Sequence, residues 1–206
     1  NELLSDNVVG FDQVLTRLFG EALADVQARD TLQGSGVGEP TGIIGNAVTY
    51  EVAKEGSQAA DTIVGENLLK MRARAKNYAN AVWVAHPETI TELAQASLVG
   101  TNSDTFLYRP GSGTDVPDTL MGRPIFYSDK APRLGEAGDI VVFDPSAYDY
   151  RFARLRIDTS VHVAFESDVT TFRVVQRDSG GPWTNTQFTD ASGYVTSEFV
   201  QLAERA

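Results

Sequence analysis

Three side chains able to support acyl transfer follow one another along the chain: His86 in VAHP, Asp139 in GDIVV and Ser179 in DSGGP. A serine hydroxyl becomes a nucleophile when an imidazole takes its proton and a carboxylate holds that imidazole in the right tautomer. A second candidate is GSGVGEPTG at 34–42, whose glycines could present backbone amides to a phosphate. Phosphate loops of that kind place a Lys directly after the last glycine. Here Gly36 and Gly38 lead into Glu39 and Pro40, and the next lysine is Lys54. The stretch also follows a helical pattern instead of opening one, so a tight structural turn is expected. Metal chemistry has little to draw on. His162 is the only other histidine, no HxxxH or HExxH occurs, and cysteine is absent. Asp104, Asp115 and Asp118 fall in a polar stretch and are expected to be solvated.

The elements that would have to position a triad argue against it. DSGGP resembles the nucleophile segment of chymotrypsin-like serine hydrolases, but Arg177 stands where that family has Gly. His86 lies between the apolar run AVWVA at 81–85 and Pro87, which suits the first position of a helix at PETITELAQASL. DSGG is therefore expected as a β-turn between two strands. A hydrolase using His86, Asp139 and Ser179 is the alternative reading.

Elsewhere, FDQVLTRLFGEALADVQARDTL at 11–32 reads as a long helix, with Phe11, Leu15, Leu18, Phe19, Ala22 and Val26 on one stripe. It is expected to be the longest helix and to bury that stripe on the strands after 148. A glycine-rich loop at 33–46 and a strand at 49–53 follow. A second helix is expected at 66–79, with a basic face of Lys70, Arg72, Arg74 and Lys76 turned to solvent or to another subunit. Residues 99–122 read as a long, mobile loop. Strands are expected at 123–128 and 139–143, and the pattern is β from 148 onward. Helices first and strands later make an α+β chain.

Composition bounds the function. The chain has 206 residues, 42% hydrophobic and 22% charged, which is ordinary for a globular protein. Its formal net charge of −11 is spread over every third, and no third is basic, which argues against a phosphate-driven nucleic-acid grip. No window is long and apolar enough for a transmembrane helix. Residues 1–8 have no signal-peptide character, and a start at Asn1 suggests a chain that begins inside something larger.

Read in order, several stretches resemble the HK97-fold major capsid proteins of tailed bacteriophages: NELLSD before the long helix, LQGSGVGEPTGIIGN after it, AVWVAHPETITELAQA, TLMGRPIFYSDKAP with Gly122 and Pro124, FRVVQRDSGGPW, and the terminal SEFVQLA. The resemblance implies a peripheral domain from 1–60 and 146–206, with the long helix as spine. It implies an axial domain from 61–145, whose loop near 99–122 would point at a symmetry axis. It also implies a phage or prophage shell subunit, without catalysis, that assembles with copies of itself around DNA. Such a protein would reside in the virion capsid and assemble in the bacterial host cytoplasm. Sequence-specific nucleic-acid binding, membrane binding, cofactors and metals are not expected, and no catalytic, cofactor or metal residue is assigned. The family's N-terminal arm and E-loop find no counterpart here, so the chain alone is expected to remain a monomer or small oligomer. The Lys donor of the family's isopeptide cross-link would lie in that absent segment, so self-crosslinking is not expected either.

Overall fold

The computed structural model describes residues 8–96, 107–111, 117–164 and 169–205. Its centre is a mixed seven-stranded sheet in the order β1-β13-β6-β2-β5-β4-β3. These strands are β1 (Tyr50–Val52), β2 (Val82–Ala85), β3 (Tyr108–Arg109), β4 (Thr119–Leu120), β5 (Arg123–Tyr127), β6 (Ile140–Phe143) and β13 (Phe199–Leu202). β1 runs parallel to β13 and β2 runs parallel to β5; the remaining neighbours are antiparallel.

Strict alternation along the central strands splits the core in two. Trp83, Ile125, Ile140, Val142, Val200 and Leu202 point to one face. Helices α2 (Gly65–Arg74) and α3 (Ile90–Gln95) cover that face with Leu68, Met71 and Leu93. Val141 and Phe199 point to the other face, against Leu32, Ile43 and Val48. β6 is thus buried on both sides, and β2 is buried on one side and half-buried on the other, which is why VWVA and IVVF read as near-continuous apolar runs.

Helix α1 (Val8–Gln33), 26 residues, is the longest, as its pattern implies. Its expected seat is not observed. Val14, Leu18 and Val26 are 53%, 48% and 45% exposed, and among the side chains described from residue 13 onward only Asp30 and Leu32 are buried. The reason is geometric. At ~1.5 Å per residue α1 is about 39 Å long, while the strands after 148 do not form one sheet beneath it. β7 (Tyr148–Phe152) pairs with β10 (Asp178–Pro182), and β8 (Arg156–Ala164) pairs with β9 (Val169–Val175). Together they make a two-stranded ribbon, continuous through the Ala153 amide, which donates to the Arg177 carbonyl at 2.7 Å. β11 (Phe188–Thr189) and β12 (Val195–Thr196) form a small separate pair.

Two further expectations change. DSGG is not a turn: it is β10, with Ser179 opposite Arg151 and Gly180 opposite Tyr150. A Cβ on Gly180 would come within 2.9 Å of the Tyr150 ring and 3.1 Å of the Asp149 carbonyl oxygen. Gly180 therefore serves strand packing, and its carbonyl accepts the Thr41 amide at 2.8 Å. Helix α2 stops at Arg74, not at 79. Ala75 turns extended and bridges Ser197, and the Lys76 amide donates to the Ser197 carbonyl at 2.8 Å. Of the 99–122 stretch, 97–106 and 112–116 lie outside the described residues, and with them Asp104 and Asp115; β3 and β4 extend the sheet from what remains.

Candidate functional site

The structure keeps His86, Asp139 and Ser179 in separate roles. The His86 amide donates to the Asp139 carbonyl at 3.0 Å, which is sheet geometry and leaves both side chains free of each other. His86 Nδ1 accepts the Glu88 amide at 3.2 Å and so caps the short 3₁₀ turn Pro87–Thr89. The Asp139 carboxylate is fully buried and paired with the equally buried Arg205 guanidinium. It also accepts the Gly135 amide at 3.1 Å, while its Oδ1 has no partner. Burial outweighs these contacts and holds the Asp139 carboxyl above its ordinary range. Ser179 sits on the ribbon, where its neighbours are Arg151 and Asp149. No imidazole bridges a serine and a carboxylate here, so the hydrolase chemistry has no machinery.

The glycine loop is likewise filled by its own chain. The Gly36 amide donates to the Pro40 carbonyl and the Gly42 amide to the Gly34 carbonyl. The Ser35 amide donates to Glu39 Oε1 at 2.7 Å, a carboxylate in the place an anion would take. Those Ser35 contacts hold the Glu39 carboxyl below its usual range. Only glycine fits at position 34, just after α1, because a Cβ there would run into the Pro40 and Asp30 carbonyl oxygens. The loop is a turn that docks α1 onto the sheet.

The basic face of α2 is exposed at Lys70, Arg72 and Lys76, as expected, while Arg74 is half-buried. Arg74 lies between the rings of Tyr50 and Tyr194, 4.8 and 4.0 Å from their centroids, and donates to the Val195 carbonyl at 2.8 Å. Arg72 covers Tyr78, and Lys76 covers Phe188 and faces Glu198. Lys70 pairs with Glu55 at 2.6 Å. These cations tie β11, β12 and β1 to α2. Nothing in the local sequence signals it, since each aromatic partner but Tyr78 is remote in sequence. Asp118 is also structural: it accepts the Tyr108 hydroxyl at 2.6 Å and the Gly111 amide at 2.7 Å, which lowers its pKa. His162 lies exposed on β8. Among the described residues no three His, Asp or Glu side chains could hold a metal, and no helix is long and apolar enough to cross a membrane.

What remains is surface. A groove of about 410 Å³ runs between the C-terminal half of α1 and the sheet, lined by Ala24, Ala28, Val84, Phe126 and Tyr150. It is apolar and holds no nucleophile–base pair. Beyond it the ribbon exposes Phe152, Ile157 and Val163. Exposed apolar groups on projecting elements suit contact with other molecules.

The comparisons agree with that arrangement. No curated protein matches the chain in sequence. Among solved structures, the capsid of an empty GTA particle aligns with a TM-score of 0.67 at 19% identity, over all of this chain and 70% of that one. The capsid of a native GTA particle aligns with a TM-score of 0.65 at 18% identity, over 95% of this chain and 66% of that one. The SrpI encapsulin of Synechococcus elongatus PCC 7942 aligns with a TM-score of 0.51 at 14% identity, over 93% of this chain and 65% of that one. These likenesses show the HK97-like α+β fold. The phage capsid family matches residues 1–188, so the chain belongs to the phage capsid family, as a structural subunit.

Proposed function

We propose that the chain is the major capsid subunit of a tailed phage or prophage, closing with copies of itself into an icosahedral shell around DNA. The observation that carries this reading is the pair of projecting elements. Helix α1 leaves most of its described side chains exposed, and the ribbon exposes Phe152, Ile157 and Val163. A two-stranded ribbon is marginal alone in water and gains stability from a neighbour. Residues 1–60 and 146–206 form the peripheral domain and 61–145 the axial domain. β1 and β13 pair into the same sheet as β2 and β6, which ties the two domains together. The acidic surface repels packaged DNA instead of gripping it, so no sequence-specific nucleic-acid contact and no membrane contact belong to this function. Assembly takes place in the bacterial host cytoplasm, and the subunit resides in the virion capsid.

The test is expression of the complete reading frame in bacteria, followed by electron microscopy of the purified product. Closed particles of uniform size are expected. A product that never forms particles, and whose Ser179 is labelled stoichiometrically by a fluorophosphonate, overturns the reading.

A further inference from the structure

Charge is distributed unevenly between the two projecting elements. The root of the ribbon, 149–158 and 173–178, holds five arginines, at 151, 154, 156, 173 and 177, against Asp149, Asp158 and Asp178, in a chain of net charge −11. Arg156 and Arg173 both pair with Asp158, at 2.8 Å each, and both guanidiniums are exposed. Two cations share one carboxylate, which lowers the Asp158 pKa and leaves one positive charge unmatched. Arg154 and Arg177 are exposed and make no ion pair among the described residues. On α1 the imbalance is reversed. Val14, Leu18, Glu21 and Asp25 follow at helical spacing along one exposed face. Glu21 pairs with Arg17 at 3.3 Å, and Lys130 bridges Asp25 and Asp129 at 2.9 Å each. Three carboxylates share two cations, which leaves one negative charge unmatched.

We infer that these surfaces meet between copies: the arginine-rich ribbon root of one subunit lies against the Glu21–Asp25–Asp129 face of the next. The inference rests on the proposed self-assembly and adds which surfaces join. The two patches are different regions of the same chain, so the contact is heterologous. Contacts of that kind close into rings or continue around a shell, instead of stopping at a two-fold dimer. Each element supplies what the other lacks. α1 offers exposed Val14 and Leu18 beside its acids, and the ribbon offers exposed Ile157 and Val175 beside its arginines. Complementary charge fixes register and selects the partner.

A charge swap tests the contact. One variant carries Arg154→Glu and Arg177→Glu; the other carries Glu21→Arg and Asp25→Arg. All four positions are exposed, and circular dichroism and melting confirm that each variant folds. Sedimentation velocity over a concentration series, at one fixed ionic strength, reads association. Wild type is expected to associate, and each variant alone to associate at least roughly tenfold more weakly, the effect expected of truncated or reversed charge pairs at an interface. An equimolar mixture is expected to recover association, because each reversed ribbon meets a reversed helix and each native ribbon a native helix. Variants that associate as wild type does, or a mixture that recovers nothing, overturn this contact and leave the capsid reading standing. A wild-type chain that stays monomeric at every concentration overturns this contact, and particle formation by the complete reading frame then decides the capsid reading separately.

Discussion

The seven-stranded body and the two projecting elements use the same kinds of residue to opposite ends. In the body, apolar side chains are enclosed and a charged pair is sealed: Trp83, Phe199 and Arg205 are all fully buried. On α1 and the ribbon, Val14, Leu18, Phe152 and Val163 face solvent, and the charges are exposed and incompletely paired. Body contacts are therefore spent on the subunit's own stability. The projecting surfaces contribute little to it, which leaves them available for association. The groove of Val84 and Phe126 beneath α1 marks the boundary between the two regimes.

The largest effects should follow from opening the body. Trp83→Ala removes a buried indole that meets Tyr78 edge-on and donates to its hydroxyl at 3.2 Å. A loss of about 3–5 kcal/mol is expected in denaturant unfolding. Arg205→Ala leaves Asp139 buried without its cation and should cost a similar ~3–5 kcal/mol. The double variant Arg205→Met with Asp139→Asn should recover much of that loss, since neither partner then carries an uncompensated charge.

The same comparison has a pH signature. Asp139 is raised, so its contribution is fully present below the ordinary carboxyl value and is lost as pH rises through its folded value. Asp158 is lowered by Arg173 and Arg156, so its contribution is present above the ordinary value and is lost as pH falls through its folded value. Carbon-detected NMR titration of the two carboxyls should find Asp139 above and Asp158 below an unstructured Asp. The reverse order would break the contrast between sealed and exposed pairs.

Smaller effects come from the boundary and from α1. Gly180→Ala forces a Cβ against Tyr150, Tyr148 and the Asp149 backbone, and about 1–3 kcal/mol of destabilisation is expected. Gly20→Ala meets nothing within 4 Å on exposed α1 and should stabilise by up to ~1 kcal/mol. Leu18→Asp, which would be severe on a buried stripe, should change the melting free energy by no more than about 0.5 kcal/mol. A large loss at Leu18 would place α1 with the body and erase the distinction.

Local pattern was sufficient for much of this molecule. The helix at 8–33 follows, apart from its first three residues and its last, from the apolar spacing over 11–32, and β2 and β6 follow from short apolar runs. The glycine loop shows itself as a turn because Glu39 and Pro40 stand where a phosphate loop needs lysine. The family, too, was legible, in several weak motifs that keep their order along the chain. Other features depend on partners far away in sequence. Amphipathic spacing shows that α1 has an apolar stripe, but whether the stripe is covered depends on where strands more than a hundred residues later are placed. DSGGP has the composition of a turn, and it becomes a strand because Tyr148–Phe152 pairs with it. Arg74 on a helix face reads as solvated until Tyr50 and Tyr194 close over it. Arg205, one residue from the end, is buried only because Asp139 lies 66 positions upstream in the same core. Periodicity and turn chemistry are encoded within a few residues; burial and pairing are set by long-range contacts, which only the tertiary structure decides.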